Sequence, residues 1–272
     1  YGNPSISATE DYLFGFYDAN SQQWDQVARN APNFLICKSA GNDRNDGPGL
    51  PSPPNDGPYD CIGQQGIAKN ILTVGAVEDI PGGYTIPASV VMSSFSSWGP
   101  ADDGRIKPDI VANGVDLYST DNDNNTDYTT LSGTSMSTPS LTGSLALLQQ
   151  HRNTLTGNYM KSATLKALVI HTADEAGTTT GPDYKFGWGL MNTKNAALKI
   201  SADQTNDVIS EPTLINGGTY TRDVVALGSE PLKVTIVWTD VAGTPTSAQL
   251  DPITPMLVND LDLRLTRSGN TY

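Results

Sequence analysis

The chain has 272 residues, 37% of them hydrophobic, which is enough apolar content for a sizeable buried core and excludes disorder as the default. Its 29 acidic against 16 basic residues give a formal charge of −13, which argues against nucleic acid and anionic membrane surfaces, since both require clustered cations. The acidity suits solubility in an extracellular or salty medium, so a secreted protein is expected.

No apolar run approaches the ~20 residues of a membrane helix. Tyr1-Gly2-Asn3-Pro4 has neither the basic region nor the apolar core of a signal peptide. Helical periodicity first appears over residues 22–29. Residues 33–40 (N-F-L-I-C-K-S-A) and 71–77 (I-L-T-V-G-A-V) are continuous apolar-rich runs, and 109–112 is a shorter one. Such runs suit strands buried on both faces, as in a parallel sheet under helices. Between them, residues 42–61 are dominated by Gly, Pro, Asp and Asn and read as a surface loop, and residues 121–127 read as another. Asp121, Asp123, Asn125 and Asp127 alternate as in a calcium loop. Thr126 stands where the glycine belongs and no Glu closes the loop, so a solvated acidic loop is expected. Asn124 opens the one N-x-Ser/Thr sequon without proline. Helices are expected over 135–151 and 161–172. Alternating strands and helices predict an α/β layered domain over residues 1–203.

After that the period changes. Leu232, Val234, Ile236 and Trp238 alternate with more polar neighbours, and so do Leu261, Leu263 and Leu265. Period two marks half-buried strands, so residues 204–272 are expected to form part of an all-β sandwich. Ser268-Gly269-Asn270 reads as a turn whose return strand falls beyond Tyr272.

Gly133-Thr134-Ser135-Met136-Ser137-Thr138-Pro139 precedes an apolar helical run. A serine in the first turn of a buried helix sits at the positive end of the dipole, where unpaired backbone N–H groups can bind a developing oxyanion. Gly133 lets a substrate backbone approach, and Pro139 is tolerated within a first turn. On chemistry alone, an ordinary Ser/Thr cap on a core helix is an equal alternative.

This G-T-S-M-S-T-P run resembles the serine motif of the subtilisin-like serine peptidases (subtilases), with Ser137 in place of the usual Ala. Ser39-Ala40-Gly41-Asn42 is similar to the family's A-A-G-N segment. Residues 93–108 (S-S-F-S-S-W-G-P-A-D-D-G-R-I-K-P) resemble its F-S-S-x-G-P-x-x-D-G-R-I-K-P run, and Gly187-Trp188-Gly189 the G-W-G that closes its catalytic domain. Leu257 to Leu263 (L-V-N-D-L-D-L) are similar to the subgroup with a C-terminal β-sandwich. The resemblance implies Ser135 as nucleophile and Asn42 as oxyanion donor. It implies Gly2 at one wall of the S1 pocket, Ser39, Ala40 and Gly41 at the other, and Gly63 at the base. It makes Cys37 and Cys61 neighbours and implies a disulfide there, with two buried thiols as the alternative. Two cysteines are otherwise too few for a disulfide framework or a zinc site.

A serine hydroxyl needs a base, and the base an orienting carboxylate. In the family the order is Asp, His, Ser, and both partners precede the segment that Tyr1-Gly2 resembles. The two histidines here, His151 and His171, both follow Ser135. His151 is sixteen helical residues away, about 24 Å at ~1.5 Å per residue, so both read as structural. The expectation is a serine endopeptidase acting on protein or peptide substrate. Its Asp and His lie in a missing N-terminal segment, and this chain alone is inactive. The rivals are a catalytically dead module with the same fold and a surface-binding β module. No cofactor is required for the chemistry. The resemblance adds a structural calcium, with Asp260 and Asp262 as candidate ligands.

Overall fold

The computed structural model describes residues 3–7, 10–45, 59–226, 228 and 231–271. Helix α1 is Ala19–Asn30, three residues earlier than its apolar pattern, because Asp18 caps it by accepting from Asn20 N and Ser21 N. It buries Ser21, Asp25 and Ala28. Buried Asp25 is satisfied by Tyr17 OH at 2.7 Å and Asn70 N at 2.8 Å.

Strands β1 (Cys37–Ser39), β2 (Leu72–Val77) and β3 (Ile110–Asn113) form a parallel sheet in that order. The register pairs Cys37 with Leu72 and Val74 with Ile110. All six residues of β2 are buried, as expected for a strand covered on both faces. A hairpin follows, β4 (Leu117–Thr120) and β5 (Tyr128–Leu131), with the acidic loop as its connection. Helices α2 (Thr134–Thr156), α3 (Ser162–Thr172) and α4 (Thr193–Asn206) complete the layer. Gly157, at φ 72°, ends α2 in the left-handed conformation. The main core packs Leu72, Val74 and Ile110 of the sheet against Leu141, Leu145 and Leu148 of α2, with α3 and α4 closing it through Leu168 and Ile200. Each such fully buried aliphatic side chain contributes roughly 1.5–3 kcal/mol.

Beneath the sheet, Asp109 takes Lys107 Nζ at 2.7 Å, Lys166 Nζ at 2.8 Å and the amide of Thr73 at 2.7 Å. Burial alone raises its pKa, and the two ammonium groups outweigh burial and hold it below the ordinary carboxylate range.

The expected sandwich is not seen. Among the described residues, 232–239 and 261–265 form no ladder, and Leu232, Val234 and Ile236 are exposed, so their alternation has no face to bury against. The stretch is held by side chains instead. Buried Asp240 accepts from Lys69 Nζ, Val258 N, Asn259 N and Asn259 Nδ2, while Asn70 Oδ1 accepts from Asp240 N and Asn70 Nδ2 donates to Asp240 O. Met256 enters a second core cluster with Tyr17, Ala40, Ile62, Ile67 and Ala101. The turn at 268–270 does return within the chain. Thr266–Arg267 pairs with Asn270–Thr271 across Ser268 (φ 50°) and Gly269 (φ 84°), the two positive-φ residues of a tight hairpin. Among the described residues no helix is long and apolar enough to cross a membrane.

Candidate active site

Asn42 follows the C-terminal end of β1, and Gly133 N donates to Gly114 O just past β3, so the first turn of α2 with Ser135 stands at the edge where open α/β sheets bind ligands. After β1, Ala40 N still donates to Val74 O, and the chain then turns at Gly41 (φ +113°). A Cβ there would press on Asp43 Oδ2 at 2.7 Å and Ser97 Oγ at 2.8 Å, so the position requires glycine both for its torsion and for its space. Gly41 O accepts from Ser97 N and Gly41 N donates to Thr134 Oγ1. Asn42 is thereby brought to the start of α2.

There Asn42 Oδ1 accepts from both Thr134 N and Thr134 Oγ1, each at 2.9 Å. A backbone N–H can only donate, so the amide orientation is fixed and Nδ2 points the other way. Gly133, held by Gly114 O at 2.8 Å, precedes the helix. The position a Cβ of Gly133 would take lies 3.5 Å from Asn42 Nδ2, 3.5 Å from Met136 Sδ and 3.6 Å from Ser135 N. Two N–H donors and a thioether therefore border one gap that any side chain at 133 would fill. The first-turn amides of Met136 and Ser137 both go to Gly133 O, and that of Thr134 goes to Asn42. No described group accepts from Ser135 N–H, so it is the amide left for a ligand. Ser135 itself is exposed, the second residue of α2. Pro139 falls in the second turn, not the first, and its missing amide leaves Ser135 O without an i+4 donor.

The structure joins Asn42, Gly41 and Ser135 into one site. Ser39 binds Lys38 Nζ at 3.1 Å, and Ala40 is buried against Ile62, which brings residues 39–41 next to Gly63. Gly63 caps a short 3-10 turn, bridges to Phe14, and faces open space. Gly2 lies outside the described residues. Neither histidine reaches Ser135. His151 Nε2 meets Ser201 Oγ at 2.9 Å, and His171 Nδ1 meets Thr235 Oγ1 at 3.1 Å.

The expected Cys37–Cys61 disulfide is not formed. Cys37 packs with the α2-side core, whereas Cys61 Sγ accepts from Trp98 N at 3.1 Å. Their environments differ, and each keeps its own polar partner. Burial pushes the Cys61 thiol up to about 11 and raises that of Cys37 as well, so neither is a nucleophile near neutral pH.

The acidic loop closes on itself, with Asp121 N donating to Asp127 O and Asn124 Oδ1 accepting from Thr126 N. Asp260 and Asp262 are exposed, and Asp262 binds Arg264 at 3.1 Å. Among the described residues, neither belongs to a group of three or more close metal-ligating side chains. Sequence reasoning missed Thr134 as the anchor of Asn42. Its place in G-T-S, one residue before the serine, was the available signal.

A parallel α/β layer thus holds an exposed serine in the first turn of α2 beside an oriented asparagine amide. The family model described as the subtilase family matches residues 3–189. The chain belongs to the subtilase family. It is 33% identical over 175 residues to serine protease AprX of Bacillus subtilis, covering 60% of this chain and 35% of that protein. It is 51% identical over 140 residues to a C5a peptidase of Streptococcus pyogenes, covering 49% of this chain and 12% of that protein. The chain thus spans about a third or less of these curated relatives. Among solved structures, the patellamide maturation protease PatA superimposes with a TM-score of 0.52 at 22% identity, over 70% of this chain and 59% of that one, a likeness of fold.

Proposed function

We propose that the protein containing this chain is a secreted serine endopeptidase. Ser135 Oγ attacks the carbonyl carbon of a peptide bond, and the carbonyl oxygen becomes an anion held by Asn42 Nδ2 and Ser135 N–H. The base passes the proton taken from Ser135 to the amide nitrogen, the C–N bond breaks, and the amine departs to give an acyl-enzyme, which water then hydrolyses. Residues 39–41 and Gly63 form one wall and the base of the pocket for the substrate side chain. The observation that carries this reading is the shared gap between Asn42 Nδ2 and Ser135 N.

The base that takes the Ser135 proton and the carboxylate that orients it come from polypeptide outside these 272 residues. In support, both histidines of the chain are engaged elsewhere. The same fact favours a second reading, a catalytically dead module. A fluorophosphonate probe separates the two. The full-length protein should be labelled at Ser135, as mapped by peptide mass spectrometry, and Ser135→Ala should abolish both labelling and cleavage of a chromogenic peptide. The 272-residue chain alone should be inert. Absence of labelling in folded full-length protein would establish the dead module instead.

A further inference from the structure

An amide that binds an oxyanion must be aimed before the charge develops, and Asn42 does little of its own aiming. Among the described residues its backbone makes no hydrogen bond, and its side chain is tied only through Oδ1 to Thr134. Segment 93–98 supplies the missing support. It is fastened to β2, where Ser93 N donates to Ala76 O at 3.1 Å and Ser96 Oγ accepts from Ala76 N at 3.0 Å. Ser93, Ser96 and Ser97 are fully buried. From this base Ser97 grips both neighbours of Asn42. Its N–H donates to Gly41 O at 2.9 Å, and its Oγ accepts from Asp43 N at 3.1 Å.

Arg44 closes the grip. Its Nε donates to Ser94 O at 3.0 Å and its Nη2 to Ser93 O, so one planar guanidinium spans two successive carbonyls. The same group lies over the indole of Trp98, 4.3 Å from the ring centroid. The ring quadrupole attracts a cation placed there, and tryptophan does so more strongly than the other aromatic residues. Lysine carries a charge but no rigid fork, so it does not reproduce this geometry.

Trp98 also reaches the segment that leads to Gly63. Trp98 O accepts from Cys61 N at 2.9 Å, Trp98 N donates to Cys61 Sγ at 3.1 Å, and the ring of Tyr59 packs with centroids 5.3 Å apart. Lys185 Nζ adds a second cation 4.6 Å from the Trp98 centroid. One residue is thus shared by the arm that carries Asn42 and the arm that carries Gly63. Its ring acts as a surface and not as a donor, because the buried Nε1–H has no acceptor among the described residues.

We propose that Arg44 and Trp98 are positioning residues, a role that rests on Ser135 being the nucleophile. Arg44 aims Asn42 Nδ2 at the oxyanion, and Trp98 couples that aim to the base of the pocket for the substrate side chain. The full-length enzyme tests this, with active sites counted by total fluorophosphonate label so that misfolded protein does not enter kcat. Arg44→Ala should lower kcat about tenfold, less than loss of the donor itself, with KM nearly constant. Arg44→Lys should regain only part of that. In an Asn42→Ala background, Arg44→Ala should lower kcat no further, because Arg44 acts through Asn42. A merely stabilising contact would instead lower Tm and cost the same in both backgrounds. Trp98→Ala should lower kcat and also change the relative kcat/KM among p-nitroanilides that differ in the side chain before the scissile bond. Trp98→Phe gives up only an unpaired N–H and should recover most of both effects. The proposal is overturned if Arg44→Ala keeps kcat within twofold, or if its loss adds to that of Asn42→Ala. Side-chain preferences unmoved in Trp98→Ala would overturn the coupling to the pocket. Deuterium uptake over residues 41–44 reports on the tether without activity. If wild type takes no label, the nucleophile reading falls, yet Arg44→Ala should still speed that uptake, and unchanged uptake would overturn the tether itself.

Discussion

Asn42 has two separable duties, and two substitutions pull them apart. Its Oδ1 holds the first turn of α2 through Thr134 N and Oγ1, and its Nδ2 faces the gap beside Ser135 N. Asn42→Ala removes both duties. Two hydrogen bonds at about 1 kcal/mol each put the loss of stability at roughly 1–2 kcal/mol. Loss of one oxyanion donor lowers kcat about 10²–10³-fold, a figure established on subtilisin, itself a subtilase, and carried over to this chain. Asn42→Asp keeps an acceptor for Thr134 at the positive end of a helix, so stability should hold or rise. It places a carboxylate oxygen where Nδ2 stood, so kcat should fall at least as far as in the alanine variant. KM should stay nearly constant in both, because the lost interaction forms mainly in the transition state. Urea denaturation and steady-state kinetics of the full-length enzyme on a peptide p-nitroanilide measure the two quantities. If Asn42→Asp kept kcat within threefold, or if Asn42→Ala raised KM with kcat intact, the donor role would be wrong.

Met136 Sδ borders the same gap. Peroxide should therefore inactivate the full-length enzyme by placing a sulfoxide oxygen there, and Met136→Ala should resist, as read by residual activity against time of exposure. His171 is half-buried, and burial together with Lys199 and Lys233 pushes its pKa down to about 4 from 6.5. The unfolded chain thus binds the extra proton first, so this group's contribution to stability is full above pH 6.5 and is lost as pH falls from 6.5 toward 4. Urea midpoints across that window should drop less in His171→Gln than in wild type, and equal drops would assign the titration to other groups.

What was legible in the chain followed from local chemistry for the elements and from resemblance for the site. The continuous apolar run 71–77 suited a doubly covered strand, and β2 is buried at every position. The runs S-A-G-N and G-T-S-M-S-T-P singled out Asn42 and Ser135 only through their resemblance to the subtilases, since chemistry alone left an ordinary cap and a turn open, and the fold brings the two together through Thr134. Helix α4 escaped notice because only Ala196 and Ile200 are buried, too thin a stripe to register as a period. The hairpin β4–β5 escaped because its strands are four residues each and mostly exposed. Cys37 and Cys61 showed the limit of inference from neighbouring segments. Two stretches can adjoin while their side chains serve different environments. The period-two pattern at 232–239 was real as a pattern, but a ladder also needs partner strands.

The attachment of the C-terminal stretch through Asp240 has a consequence for the order of assembly. Lys69 and Asn70 meet residues 240–259 across some 170 positions of chain, as in the pairs Asn70–Asp240 and Lys69–Asp240. Contacts of such long reach close large loops and gain nothing until both ends are in place. The parallel layer, whose elements follow one another more closely and end with α4 at Asn206, can form before residues 240–259 have left the ribosome. Asp240 then finds Lys69 and Asn70 already positioned, and the stretch fastens over a finished surface as a latch that closes last and, under stress, opens first.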